Sequence, residues 1–218
     1  MKRLGLMCGT FNPIHLGHLL IAECARDQFG LDKVLFITSP EPPHRQGEKG
    51  LLPAAERHLM VQAAIADNQN FEGSDVELKR SGPSYTIDTI EHFLLQYGPS
   101  VELFLILGGD NTAELAGWHR AEDIFAKCTI LVAPRLVSDC PIGKNQENPE
   151  IPERYVRATV NKGAATSARV EVIDFPAVSI SASSVRNRLK ENRSVLYMVP
   201  KAVNDLLLAN GYYREENQ

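Results

Sequence analysis

The opening thirty residues constrain this chain more than any other stretch. A short apolar run, Leu4-Gly5-Leu6-Met7, reads as a buried strand, and Leu19 to Phe29 reads as a helix. Between them stands Cys8-Gly9-Thr10-Phe11-Asn12-Pro13-Ile14-His15-Leu16-Gly17-His18. A strand, a Gly/Asn/Pro loop and a helix that starts beside two histidines make a natural phosphate seat, because a helix N-terminus leaves backbone N–H groups unpaired and carries partial positive charge. Gly9 would let a ligand approach the backbone. Asn12 and Pro13 suit a helix cap and a first helical position. His15 and His18 are three apart and would share one helix face, with Gly17 leaving room for a phosphate. The string is neither GxGxxG nor GxxxxGK[ST], so it is not a Rossmann fingerprint or a P-loop.

The same alternation continues. Lys33 to Thr38 reads as a second buried strand and completes a βαβ unit. The loop after it, Ser39 to Gly47, carries His44 and Arg45 at a strand's carboxyl end, where open α/β sheets bind ligands; a solvated Pro-rich turn is the plainer alternative. Pro53 to Ala66 reads as a helix with Leu59, Ala63 and Ile65 among its apolar positions. Asp75 to Leu78 alternates like a strand. Ser84-Tyr85-Thr86 leads into a helix with Ile87, Ile90, Leu94 and Tyr97 near one face, and Ser84 and Thr86 are candidate caps. Val101 to Leu107 is the cleanest buried strand and ends in Gly108-Gly109-Asp110-Asn111. Trp118, the only tryptophan, sits among Gly, His and Arg, which favours a loop platform over core packing. Cys128 to Ala133 and Val170 to Asp174 read as strands, with a Pro/Gly/Asn-rich loop or lid near 135–152. Helices are expected from about Ser183 to Asn192 and from Lys201 to Asn210. The fold class expected is α/β: a doubly wound, mostly parallel sheet with helices on both faces. One domain, 1–218, is expected, with a C-terminal helical part from about 181.

The composition narrows the partners. With 44% hydrophobic and 23% charged residues and a formal charge of -4, the chain has no general basic field to attract nucleic acid or an anionic membrane. No apolar run has transmembrane length and no signal peptide is evident, which points to the cytoplasm. Cys8, Cys24, Cys128 and Cys140 form no CxxC pair; the first three sit in apolar stretches, and free buried thiols in a reducing cytoplasm are the better reading. A monomer or small homo-oligomer is expected.

Near the other end, Ser181, Ser183 and Arg186 stand at a helix start. Arg186 offers a bidentate fork for phosphate and the serines add hydroxyls; a Ser N-cap with a solvated Arg is the alternative. Two helix-start anion sites suit a triphosphate. Nucleotidyl transfer needs no nucleophilic side chain: a substrate phosphate oxygen attacks the α-phosphorus of ATP and pyrophosphate leaves in line. His15 and His18 could donate N–H bonds to the phosphates, His18 to the α-phosphate. A zinc site on the histidines would need further ligands, and HExxH is absent. Magnesium bound mainly through ATP phosphates is the natural metal, with no protein-held metal site expected.

Gly9-Thr10-Phe11-Asn12-Pro13-Ile14-His15-Leu16-Gly17-His18 resembles the signature of the nucleotidylyltransferase superfamily, and in particular its bacterial nicotinate mononucleotide adenylyltransferases. Further motifs occur in that family's order: Pro42-Pro43-His44-Arg45, Ser84-Tyr85-Thr86 with Asp88-Thr89, Gly109-Asp110, Trp118, Ile180 to Arg186, and Tyr197-Met198-Val199-Pro200. The resemblance implies a Rossmann-like nucleotidylyltransferase fold and transfer of AMP from ATP to nicotinate mononucleotide, giving deamido-NAD and pyrophosphate. It implies catalytic roles for His15 and His18. For ATP it implies Gly9, Thr10, Phe11, His15, His18, Gly109, Asp110, Ser181, Ser183 and Arg186. For nicotinate mononucleotide it implies Asn12, His44, Arg45, Tyr85, Thr86 and Trp118, with Trp118 stacked on the pyridinium ring. Three departures stand out: Ser183 where a Thr is common, His119 where many relatives have Tyr, and Ala133-Pro134-Arg135-Leu136 in place of Arg-Pro-Gly. Sister enzymes that use nicotinamide mononucleotide or another phosphorylated acceptor, and a nucleotide-binding module without catalysis, are the alternatives.

Overall fold

The computed structural model describes residues 1–40, 50–108, 115–136, 146–147, 170–176 and 178–214. His44, Arg45, Gly109, Asp110, Cys140 and most of the 135–152 loop lie outside the described residues. In chain order the elements are β1 (Lys2–Gly9), α1 (Leu16–Gln28), β2 (Lys33–Thr38), α2 (Ala54–Ile65), β3 (Phe71–Ser74), α3 (Thr86–Tyr97) and β4 (Val101–Gly108). There follow α4 (Ala121–Lys127), β5 (Thr129–Ala133), β6 (Arg135–Leu136), β7 (Gln146–Glu147), β8 (Val170–Val172), α5 (Ala182–Lys190) and α6 (Lys201–Ala209).

Six strands form one sheet in the order β3-β2-β1-β4-β5-β8. β1 pairs with β4, β4 with β5 and β5 with β8, all parallel. From β1 the strands step outward one way through β2 and β3, and the other way through β4 and β5. With the right-handed crossovers that parallel sheets require, this order sends helices to opposite faces, the doubly wound arrangement. Its strands are apolar almost throughout because both faces are covered: Leu4, Leu6, Phe36, Ile37, Leu105, Ile106, Ile130 and Leu131 are all buried. The loop leaving β1 stands where the strand order reverses. β6 and β7 pair antiparallel as a separate ribbon.

The chain packs as two compact units. One is Met1–Cys8, Ile21–Val34 and Tyr85–Val178; the other is Gly9–Leu20, Leu35–Ser84 and Ser179–Gln218. In the second, α2 packs on α6, burying Met60, Val61, Ala64 and Ile65 on one side and Val203 and Leu207 on the other.

Local expectations need four corrections. The third strand is Phe71–Ser74, not Asp75 to Leu78. Asp75 instead opens a hydrogen-bonded turn, accepting from Leu78 and Lys79 N–H and pairing with the Lys79 ammonium at 2.9 Å. On α2 the buried face runs through Arg57, Met60, Val61, Ala64 and Ile65, and Leu59 is exposed. The residue before α3 is Tyr85, with no side-chain cap, so neither Ser84 nor Thr86 caps it. Finally, α1 starts at Leu16, so Asn12 and Pro13 are not its cap; they precede it in a loop with a cis Asn12–Pro13 bond.

Candidate functional site

The loop after β1 carries the first cluster. Phe11 is buried with a left-handed φ of 47°. Its ring meets His18 edge-on at 5.2 Å and Phe36 at 6.0 Å. A Cβ at Gly9 would come within 3.0 Å of that ring, so glycine at this position makes room for Phe11. The His15 carbonyl accepts from His18 N–H, opening the helix. The two imidazoles stack with centroids 3.7 Å apart and planes 23° apart. A Cβ at Gly17 would lie 3.0 Å from His15 Nδ1. The glycine of this motif therefore admits the His15 ring rather than only clearing space for a phosphate.

The proton positions follow from the backbone. His15 N–H donates to His18 Nδ1 at 3.2 Å. A backbone N–H can only donate, so neutral His18 carries its proton on Nε2 and presents Nε2–H as a donor. His15 Nδ1 is buried with no hydrogen-bond partner among the described residues. Burial pushes the His15 pKa down to about 4. Burial, and then the charge of His15, hold His18 well below 6.5. Both rings are neutral at pH 7 without a ligand. A polyphosphate beside them would favour their charged forms.

Two arginines and an asparagine hold this loop. Among the described residues Arg57, 1% exposed, donates only to backbone carbonyls. Its Nε reaches Leu52 O at 2.9 Å, Nη1 reaches Thr10 O and Ser39 O, and Nη2 reaches Pro40 O. One guanidinium thus ties the segments that follow β1 and β2. The Asn12 carboxamide donates to Gly50 O at 3.0 Å and accepts from Leu52 N–H at 3.2 Å and from the Tyr213 hydroxyl. Its side chain has architectural partners, and Asn12 is 3% exposed.

The start of α5 is the second cluster of the same unit. Ser181 caps the helix: its Oγ accepts from Ser184 N–H at 3.1 Å, and Ser184 Oγ accepts from Ser181 N–H. The Ser181 O–H remains able to donate. Arg186 donates from Nη1 to Asn12 O at 2.8 Å and from Nη2 to Ser183 Oγ at 3.4 Å. Residues 174 positions apart in the chain, Asn12 and Arg186, meet through that bond.

The other unit carries Tyr85, Thr86 and Trp118. Tyr85 precedes α3, and its ring lies against His119 with centroids 4.3 Å apart and planes tilted by 33°. Trp118 is half-buried; it ends a short helical turn, Leu115–Gly117, and its N–H bonds Leu115 O. Arg120, at a left-handed φ of 54°, pairs with Glu91 on α3 at 2.8 Å and with Asp123 at 2.6 Å. The ring contact and the ion pair join α3 to the residues that follow Trp118. Tyr85 gives the first N–H groups of α3 no side-chain cap, and Asp88 N–H donates to Tyr85 O at 3.1 Å.

The structure thus brings together Gly9, Thr10, Phe11, Asn12, His15, His18, Ser181, Ser183 and Arg186 in one unit, and Tyr85, Thr86 and Trp118 in the other. Arg57 and Tyr213 were not singled out by the sequence. Arg57 had a usable signal: it falls on the 57, 60, 61, 64, 65 spacing of the apolar stripe of α2. A charge on such a stripe needs partners. Tyr213 gave none.

A doubly wound sheet with a histidine-bearing loop at the strand-order reversal defines a nucleotide-binding α/β protein. The chain belongs to the cytidylyltransferase-like family, whose pattern matches residues 6–188, and within it to the nicotinate-nucleotide adenylyltransferases. It is 36% identical over 213 residues to the "Probable nicotinate-nucleotide adenylyltransferase" of Moorella thermoacetica, covering 97% of this chain and 92% of that one. Its identity to the protein of the same name from Pelobacter propionicus is 39% over 216 residues, covering 98% and 99%. Among solved structures it resembles the Plasmodium falciparum nicotinic acid mononucleotide adenylyltransferase complexed with NaAD, with a TM-score of 0.73, 98% of each chain covered and 16% identity. That likeness is one of fold.

Proposed function

We propose that this protein transfers AMP from ATP to nicotinate mononucleotide, giving deamido-NAD and pyrophosphate. The observation that carries the reading is the neutral, stacked His15–His18 pair with its Nε2–H donor, in the same unit as the Ser181–Arg186 helix start, in a chain whose relatives bear that enzyme's name. A phosphate oxygen of the acceptor bonds to the α-phosphorus of ATP. The bond from that phosphorus to the bridging oxygen breaks, and the electron pair leaves with pyrophosphate. No side-chain nucleophile is required. His18 Nε2–H donates to the α-phosphate, where negative charge builds in the transition state. Arg186 and the Ser181 and Ser183 hydroxyls receive the β- and γ-phosphates. Gly109 and Asp110 take the adenosine side, and His44 and Arg45 the acceptor's phosphate.

In the other unit Trp118 stacks on the pyridinium ring, and Tyr85 with the uncapped N–H groups at Thr86 receives the carboxylate. Among the described residues no group of three or more His, Cys, Asp or Glu side chains could hold a metal ion. Magnesium would arrive on ATP's own phosphate oxygens, which are the hard ligands it prefers, and would neutralise the leaving group. No described helix is long and apolar enough to cross a membrane, and a cytoplasmic enzyme is part of this proposal.

The test is pyrophosphate release with ATP, magnesium and either nicotinate or nicotinamide mononucleotide. Strong preference for the nicotinate form supports the reading. Equal use of both, or preference for the amide, removes the carboxylate assignment at Tyr85 and Thr86. No release with either removes the reaction.

A further inference from the structure

The end of the chain reaches back to the loop that follows the first strand. The Tyr213 hydroxyl donates to Asn12 Oδ1, 201 residues away. Tyr213 itself holds a left-handed φ of 61°, a conformation that a bulky residue keeps only where its surroundings impose it. The preceding Tyr212 is anchored separately, its hydroxyl donating to Glu56 on α2 and its N–H to Leu207 O. Burial pushes the Tyr213 phenol up, while the Arg186 and Arg57 charges pull it down. The hydroxyl therefore lies within electrostatic reach of both guanidiniums.

We propose that Tyr213 is a positioning residue of the phosphate site, its hydroxyl holding Asn12 so that the Asn12 backbone carbonyl orients the Arg186 guanidinium. The chain of contacts is short. Tyr213 bonds the Asn12 side chain, Asn12 O accepts from Arg186 Nη1, and the other arm of that fork meets Ser183 Oγ. Arg186 thus has its plane set from both sides. Without the hydroxyl, Asn12 Oδ1 keeps only Leu52 N–H. The loop then samples other positions, and the fraction of molecules with Arg186 correctly aimed falls. The inference rests on the reading that Arg186 receives ATP phosphate.

Tyr213→Phe removes one oxygen and keeps the ring. Affinity for an ATP analogue with a methylene between the α- and β-phosphates would be measured by calorimetry on full-length protein. The proteins compared are wild type, Tyr213→Phe, Arg186→Ala, the double variant, and Tyr212→Phe as the neighbouring hydroxyl. The expected result is about a three- to ten-fold loss in Tyr213→Phe, from one hydrogen bond. No further loss is expected when Tyr213→Phe is added to Arg186→Ala, and none in Tyr212→Phe. Equal loss with and without Arg186, a matching loss in Tyr212→Phe, or unchanged affinity in Tyr213→Phe overturns the proposal while the ATP reading stands. Failure of the wild type to bind the analogue overturns the ATP reading, and this proposal with it.

Discussion

Replacing Gly17 by alanine sets two effects of opposite sign against each other. The new methyl would lie 3.0 Å from His15 Nδ1 and 3.1 Å from Cε1, with Ile180 O at 3.6 Å. Comfortable heavy-atom contact begins near ~3.5 Å, so the imidazole must tilt by a few tenths of an ångström. Off-rotamer side chains cost about 0.5–1.5 kcal/mol. Alanine in the first turn of α1 returns up to about 1 kcal/mol of helix propensity. The two nearly cancel, so the variant should melt within about 4 °C of wild type. The chemistry has no such compensation. A tilted His15 ring disturbs the 3.7 Å stack and the donor that His18 presents. Misplacement by 1 Å costs up to about 10²-fold, so a shift of a few tenths should lower kcat/KM by roughly ten-fold. Thermal melting and pyrophosphate release, measured on the same preparation, separate the two effects. Wild-type turnover in Gly17→Ala would refute the claim that this glycine exists to admit the His15 ring. A large loss of stability would refute the estimate that the ring gives way cheaply.

Other predictions come from the same residues. His18→Ala removes the Nε2–H donor and should lower kcat by about 10²–10³-fold, read by pyrophosphate release with a circular dichroism control; a change under about three-fold contradicts the assigned role. His15 has a folded pKa of about 4 against 6.5 unfolded. Its stabilising contribution is therefore complete above pH 6.5 and is lost as pH falls from 6.5 toward 4, by about 3 kcal/mol in all. His18 acts in the same direction, and urea unfolding of wild type and His15→Asn over that range should show a flatter slope for the variant; equal slopes contradict it. Arg57→Met leaves the carbonyls of Thr10, Ser39, Pro40 and Leu52 without their shared donor. It should cost about 3–5 kcal/mol in urea unfolding, and a cost below about 1 kcal/mol would mean that water replaces the guanidinium.

The agreements and disagreements between sequence and structure have a common pattern. Strands such as Val101–Gly108 were legible because an unbroken apolar run admits few alternatives in a covered parallel sheet. The Ser181 cap was legible because capping is local, and Ser184 completes the box three residues on. Asn12 was misleading for the same reason. Locally it suits a helix cap, but its carboxamide bonds Gly50, Leu52 and Tyr213, all distant in the chain. Leu59 looked like core, but the helix turns its other face inward and buries Arg57 in the stripe instead. Three carbonyls just past two strands, those of Thr10, Ser39 and Pro40, together with Leu52 O ahead of α2, give the guanidinium its partners.

Taken alone, the residues determined most of the strand and helix order, the loop after β1 that carries two histidines, and the Ser181 start of a later helix. Each depends on chemistry or periodicity that acts over a few residues. Only the tertiary structure decided which imidazole nitrogen carries the proton, why Gly9 and Gly17 are glycines, and how Arg57, Asn12, Arg186 and Tyr213 lock together. The first two depend on how the loop places side chains two or three residues apart; the last depends on atoms brought within about 3 Å from distant parts of the chain, where hydrogen bonds of fixed direction form. No spacing along the sequence encodes which groups meet there.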